Sequence, residues 1–342
     1  MSDMSKPRDQ VIADFLRSTG WNDARRDKLP GDASFRRYER LALESRRAML
    51  MDAPPPREDV RPFLRIARHL TSLGFSAPRI YEADETAGLL ILEDLGDETY
   101  TRLLARGADE RALYALAIDV LIALHRLPDS QAIPAGLPPY DDQRLLDEAK
   151  LLIEWFMPAI TGAAPSPAQI EDYVGLWRGV LPLTRFAPPT LVLRDYHVDN
   201  LMGLPERAGV AACGLLDFQD AVAGAGAYDV VSLLGDARRD LASGLPEAMM
   251  ARYLAGFPTL DKNAFAAAAA ILSAQRNAKI IGIFTRLSRR DGKHHYLAHI
   301  PRVWRLLEND LSHPALRDLR AWFERALPSA MRRAPSVPES AP

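Results

Sequence analysis

Before Lys150 the chain has only two lysines, Lys6 and Lys28, so an anion site in that stretch has to draw on arginine. It has one cysteine, Cys213, which excludes an intrachain disulfide; the flanking VAACGLLDF reads as a buried strand, not a reactive thiol site. A reducing cytoplasm is the expected compartment. No run of about eighteen apolar residues without a charge occurs, which excludes a membrane-spanning helix. The opening MSDMSKPRDQ lacks the apolar core of a signal peptide. Charge of either sign is not in excess: 43 basic and 45 acidic residues give a net charge of -2, so no global field favours nucleic acid or an anionic membrane. A small molecule remains as the expected partner.

What is present is enough apolar sequence, 48% of residues, to fill a sizeable core in 342 residues. Val11, Ile12, Phe15 and Leu16 recur at helical spacing over 8–19. LPGDASFRRYERLAL and RRAMLMDA then have strand character around a Gly-Asp turn. Prolines 54–56 stop that strand, and Val60, Phe63, Leu64, Ala67 and Leu70 mark a helix over 57–74 ending at Gly74. PRIYEA and GLLILE are two further strands. From Thr99 onward the pattern is mostly helical, over 109–127, 141–160, 167–185, 228–242, 245–256, 261–290, 296–311 and 314–326. Only TLVL (190–193) and CGLLDF (213–218) interrupt it as strands. The expected fold class is α+β in two lobes sharing a cleft: a small β-rich lobe over 1–95, a helical lobe over 96–326, and a disordered tail over 327–342.

The chemistry concentrates in LRDYHVDNLM (193–202) and LLDFQDA (215–221), each of which places a carboxylate where an apolar strand ends. A charge leaving a core is costly unless something binds it. Asp195, Asn200 and Asp217 are three oxygen donors of the kind a hard cation such as Mg²⁺ takes alongside phosphate oxygens. Phosphoryl transfer needs those parts: a base aimed at the acceptor hydroxyl, and an amide and a carboxylate on the metal.

These strings resemble the aminoglycoside phosphotransferase family of kinase-like enzymes, whose catalytic loop reads H-G-D-x-H-x-x-N and whose metal motif reads I-D-[WFY]-[EQ]. The resemblance implies a protein-kinase-like two-lobe fold with ATP and Mg²⁺ as cofactors. Asp195 then matches the catalytic base, His197 the loop histidine that props the loop or meets substrate, and Asn200 and Asp217 the metal ligands. Asp229 in AYDVVSLL matches the aspartate that steadies the loop, expected here as a helix N-cap. Leu193 and Arg194 depart from the His-Gly of the family. LPGDASFRRY (29–38) resembles the nucleotide-covering loop, in which Gly31 permits a turn and Ser34 meets phosphate oxygens. The third strand, RRAMLMDAP, departs again: it carries Met49 and Met51 where a phosphate-binding lysine is usual. Arg36 is the first candidate to replace it, with Arg37 and Arg47 behind. ILEDLGDETY (91–100) resembles the hinge, where backbone groups of Glu93 and Leu95 would meet adenine and Asp97 would cap the next helix.

Within the family, GDASFRRY, MDAPP, RDYHVDNLM and LLDFQDAVAGAGAYDVVSLLGD resemble the anomeric kinases that act on N-acetylmuramate and N-acetylglucosamine. In that subgroup the third strand also ends in MDAPP without lysine. The resemblance implies phosphorylation of an amino sugar at C1 for cell-wall recycling, with Gln219, Asp220 and Tyr228 as candidates for gripping the sugar. Arg144 and Glu148, one turn apart on a helix, could also face the acceptor, but are read as an i,i+4 surface pair in reverse order. Other readings stay open, among them a kinase for another small-molecule hydroxyl such as that of a choline-like compound or homoserine, and a structural protein without nucleotide. An antibiotic-modifying kinase is suggested by the acidic helix DDQRLLDEAKLLIE (141–154), and a nucleotide-binding regulatory module by the missing lysine.

Overall fold

The computed structural model describes residues 6–30 and 35–337. In chain order its helices are α1 (Arg8–Ser18), α2 (Arg61–Ser72), α3 (Tyr100–Ala105), α4 (Glu110–His125), α5 (Asp129–Ala132), α6 (Asp142–Leu151), α7 (Met157–Thr161), α8 (Pro167–Val180), α9 (Ala227–Leu234), α10 (Leu245–Ala255), α11 (Lys262–Asp291), α12 (Ile300–Asp310) and α13 (Arg317–Ala326). The strands are β1 (Arg25–Lys28), β2 (Arg37–Leu43), β3 (Arg46–Asp52), β4 (Ile80–Asp84), β5 (Leu89–Leu92), β6 (Thr190–Val192), β7 (Leu201–Gly203), β8 (Cys213–Leu215) and β9 (Val222–Gly224). None of the described helices is long and apolar enough to cross a membrane.

Residues 6–30, 35–120 and 198–221 form one compact unit. Its antiparallel sheet runs β1-β2-β3-β5-β4. The β2–β3 hairpin turns at Glu44, whose φ is +54°, not at the Gly-Asp pair, which lies outside the described residues. Ile12, Phe15 and Leu16 of α1, with Trp21, pack on Leu41, Ala48, Leu50, Leu89 and Ile91 of the sheet. The apolar face of α2 is the stripe expected, and Gly74, at φ +87°, lets the chain leave the helix in the left-handed region. β1 reads RRDK, fully exposed, so charge blunts the open edge of the sheet.

The grouping of residues departs from the boundary expected at 95. β7 and β8 pair antiparallel, and Gly214 and Met202 bridge to Ser76 and Thr99. Backbone bonds from Gly203 to the Glu98 carbonyl (2.8 Å) and from Leu215 to that of Ser76 (2.8 Å) reinforce this.

Residues 121–197 and 222–337 form the second unit, built around the 30-residue α11. The helix expected over 141–160 is continuous only with a π-helical turn, Leu152–Phe156, between α6 and α7. Gly282 of α11 lies so close to α6 that a Cβ there would fall 2.4 Å from the Leu151 carbonyl oxygen. The helix expected over 228–242 stops at Leu234, followed by Gly235. Over 327–337 the expected disorder is not found. Leu327 is buried, Ser329–Met331 form a 3₁₀ turn, and Arg332 lies over the Trp304 ring at 5.6 Å while bonding the Leu327 carbonyl and Glu308.

Candidate active site

In the first unit, the β7–β8 register assembles an oxygen pair across one short hairpin. Leu201 lies opposite Leu215, and the Leu216 amide donates to the Asn200 carbonyl at 2.9 Å, which sets Asn200 and Asp217 side by side at the hairpin's end. Their side chains meet at 3.5 Å, Asn200 Nδ2 to Asp217 Oδ2. Gly214 permits the close pairing, since a Cβ there would sit 2.9 Å from that of Met202. Asp217 has φ +56°, a left-handed backbone that costs a residue with a Cβ about 1–2 kcal/mol and tends to persist where function holds it.

Two other groups converge on Asp217. Gln219 donates to its Oδ1 at 2.8 Å, and Arg36 Nη2 lies 3.7 Å from the same oxygen. Arg36 Nε is also 3.7 Å from Glu58, which accepts the Phe35 amide. Tyr38 lies among these charges, and burial pushes its hydroxyl up to about 12. Of the three candidate arginines, therefore, Arg36 alone is placed beside Asp217. Arg37 is exposed and leans on Asp52 at 3.8 Å, and Arg47 lines a surface cavity with Trp21 and Tyr81. Glu58 was not singled out in the sequence. Asp220 is exposed, and Asp199 accepts from Thr101.

Among the described residues no three His, Cys, Asp or Glu side chains gather as a metal cluster. One amide and one carboxylate fit an ion that takes its remaining ligands from phosphate and water, as Mg²⁺ does. Gly31 and Ser34 lie outside the described residues.

In the hinge strings the Glu93 amide donates to the Arg79 carbonyl at 2.8 Å, and its carboxylate holds Arg207 at 2.6 Å. Leu95 is half-buried against Gly214. Asp97 is no helix cap: Thr99 caps α3, and Asp97 with Asp94 clasps the Arg40 guanidinium.

In the second unit, β6 pairs with β9 and delivers Leu193, Arg194 and Asp195 at its end. Asp229 sits in the first turn of α9, whose N-cap is Gly226, so it does not cap its own helix. Its carboxylate reaches across to accept the Leu193 and Arg194 amides at 2.7 and 2.8 Å. Burial raises Asp229 to about 7 against those two bonds. Ser232 donates to the Arg194 carbonyl at 3.0 Å. Arg194 itself has φ +68°, where glycine would be unstrained and a side chain costs about 1–2 kcal/mol.

Four donors surround Glu148: Arg194, Lys279 at 3.1 Å, Tyr140 and Gln275. Burial pushes the Glu148 carboxyl up, but Lys279, Arg194 and Tyr140 outweigh it and hold it below its usual value. It is therefore a buried hub and not one half of a surface pair with Arg144. The same cations reach Asp195, which burial alone would raise; Lys279, Arg194, His197 and Arg276 together keep it below the usual carboxylate range. His197 is buried beside Asp195, Asp236, Arg238 and Arg276, and burial lowers its pKa. That setting suits a loop prop. Tyr228 is buried edge-on to Tyr140 at 5.0 Å.

Glu148, Lys279 and Arg276 were not recognised as site residues in the sequence. One signal was available: ILSAQRNAKII places Gln275, Arg276 and Lys279 in an otherwise apolar helix, and a buried polar run implies partners.

Residues 27–262 match the phosphotransferase enzyme family. The chain is 38% identical to the N-acetylmuramate/N-acetylglucosamine kinase of Caulobacter vibrioides, over 96% of this chain and 99% of that protein. It is 36% identical to the protein of the same name in Pseudomonas putida, over 86% and 87%. Among solved structures it resembles a choline/ethanolamine kinase family protein from Mesorhizobium loti (TM-score 0.60, 14% identity, 93% of this chain and 99% of that one). It also resembles the GDP complex of aminoglycoside 2'-phosphotransferase-IIIa (TM-score 0.59, 13% identity, 90% and 99%). These likenesses establish the protein-kinase-like α+β fold.

Proposed function

This chain belongs to the phosphotransferase enzyme family and is an ATP-dependent kinase, and from that premise we propose that it transfers the γ-phosphate of ATP to the C1 hydroxyl of N-acetylmuramate or N-acetylglucosamine. The product is a sugar 1-phosphate, suited to cell-wall recycling in the cytoplasm. The observation that carries this reading is the pairing of an aspartate kept ionised by surrounding cations with relatives of that name, matched over nearly their whole length.

Asp195 accepts the C1 proton as the oxygen attacks phosphorus and ADP leaves. A hemiacetal hydroxyl is more acidic than an ordinary alcohol, so a carboxylate of low pKa suffices late in a loose transition state. Asn200 and Asp217 would hold Mg²⁺, which supplies charge neutralisation on the phosphates when bound. Arg36 takes the place of the missing lysine and offers a planar fork to phosphate oxygens. Gln219 orients Asp217, and Asp220 and Tyr228 remain candidates for the sugar.

An antibiotic-modifying reading needs an open acidic groove for a polycation, and three carboxylates of the acidic helix are already paired with cations. Asp142 pairs with Arg185, Asp147 with Lys150, and Glu148 with Arg194 and Lys279. ADP release measured over a panel of acceptors, with the product assigned by phosphorus–proton coupling, tests the reading. Free amino sugars and their 6-deoxy forms should react at C1, and a 1-O-methyl glycoside should not. A 6-phosphate formed from the methyl glycoside would overturn the anomeric assignment, and turnover of aminoglycosides alone would overturn the sugar.

A further inference from the structure

The residue before the proposed base is held at every point from which it could move. Its amide and that of Leu193 are bound by Asp229, its carbonyl by Ser232, and its side chain by Glu148, while its guanidinium lies 5.6 Å from the Tyr140 ring centroid. The side chain is only 16% exposed. Yet the backbone at this position is left-handed, the conformation in which glycine alone is unstrained. An arginine kept there must contribute something that a glycine cannot, and the contribution visible is its bond to Glu148.

We propose that Glu148 is a positioning residue: through Arg194 and Lys279 it fixes the loop that carries Asp195. Glu148 is anchored on α6, Lys279 on α11, and Arg194 at the end of β6, so three elements are tied at one carboxylate. The close approach of α11 to α6 at Gly282, one turn beyond Lys279, lets the ammonium reach. Gln275, one turn before Lys279, donates to the other carboxylate oxygen and to the Leu145 carbonyl, locking the carboxylate's orientation. A buried ion cluster is a poor way to gain stability, because desolvation offsets most of the attraction. It is an effective way to set geometry, and sub-ångström placement of a base is what catalysis is sensitive to.

The inference rests on Asp195 being the base, and the test separates the two. Arg194→Gly, Arg194→Lys, Glu148→Gln and Asp195→Asn are purified, and for each kcat, KM for ATP and acceptor, and melting temperature are measured. Arg194→Gly relieves the backbone strain but takes a buried cation from Glu148, so its melting temperature should fall, while kcat measured well below that temperature falls about tenfold or more with KM for ATP unchanged. Arg194→Lys keeps a cation for Glu148 and should recover part of the loss. Glu148→Gln should lower kcat similarly, and the Arg194→Gly/Glu148→Gln double variant should be little worse than the worse single. Parental kcat in Arg194→Gly overturns the proposal even if Glu148→Gln fails to fold, as does a Glu148→Gln enzyme that loses only melting temperature. If Asp195→Asn turns over normally, the base assignment fails and this inference with it. If Asp195→Asn is inactive and the other variants are not, only the positioning role fails.

Discussion

The oxygen pair and the proposed base are held by different kinds of structure. Asn200 and Asp217, 17 residues apart, meet because one short hairpin puts them in register. Asp195 sits on a loop whose position depends on Glu148, Asp229, Ser232 and Lys279, drawn from three separate helices. Both groups contain a non-glycine residue with left-handed backbone, Asp217 in one and Arg194 in the other. In the first the strained residue is itself the proposed ligand, and in the second it is the neighbour of the reacting group. A local device exposes its chemistry in the sequence, whereas a distributed one shows only the residue at its centre.

The comparison is tested most strongly at its two carboxylates. Asp195→Asn should lower kcat by about 10²–10⁴-fold, the range of general base catalysis, with ATP affinity retained. Asp217→Ala should instead raise KM for Mg-ATP, by at least about 100-fold, because it removes a proposed ligand outright. Equal loss of nucleotide affinity in both, read by calorimetric titration, would erase the distinction. The distributed support should also be breakable from afar. Gly282→Ala drives a methyl into the Leu151 backbone and should destabilise by about 1–3 kcal/mol, seen as a lower melting temperature, with kcat falling as Lys279 shifts from Glu148.

Arg36→Ala removes one charge-assisted contact, about 1.5–3 kcal/mol, and should raise KM for ATP while leaving kcat nearly intact. An unchanged KM would leave phosphate binding to backbone amides. The smallest effect concerns pH. Burial raises Asp310 to about 7, against hydrogen bonds from Asn277 and Ser273. A raised carboxyl binds more protons folded than unfolded, so its contribution is present below about pH 4 and is lost as pH rises towards 7. Asp310→Asn should flatten that fall in melting temperature, and an unaltered profile would show that Asp310 does not set it.

What the sequence made legible follows the same division. The strand-end carboxylates and the amide at 200 could be read because an apolar run ending in charge is a local anomaly. The stripe on α2 and the strand character of β2 and β3 follow from local pattern, whereas the turn that joins the two strands, at Glu44, does not. Glu148 was misassigned to a surface pair because its partners are on other elements, and no periodicity within α6 reports them. Asp229 was placed near the loop by resemblance, but its reach to two amides on another element needed coordinates. β7 and β9, three residues each, are too short for alternation to register. The proline-rich composition after Ala326 suggested disorder because composition carries no sign of a single well-placed arginine.

That arginine gives the C-terminal segment an optical signature. Trp304 is almost wholly buried between Phe156 and Phe323, with the Arg332 guanidinium on its ring. Its fluorescence therefore reports whether the last turn of chain is docked, and a protein trimmed to Ala326 would uncover an indole that the full chain keeps dark to quenchers.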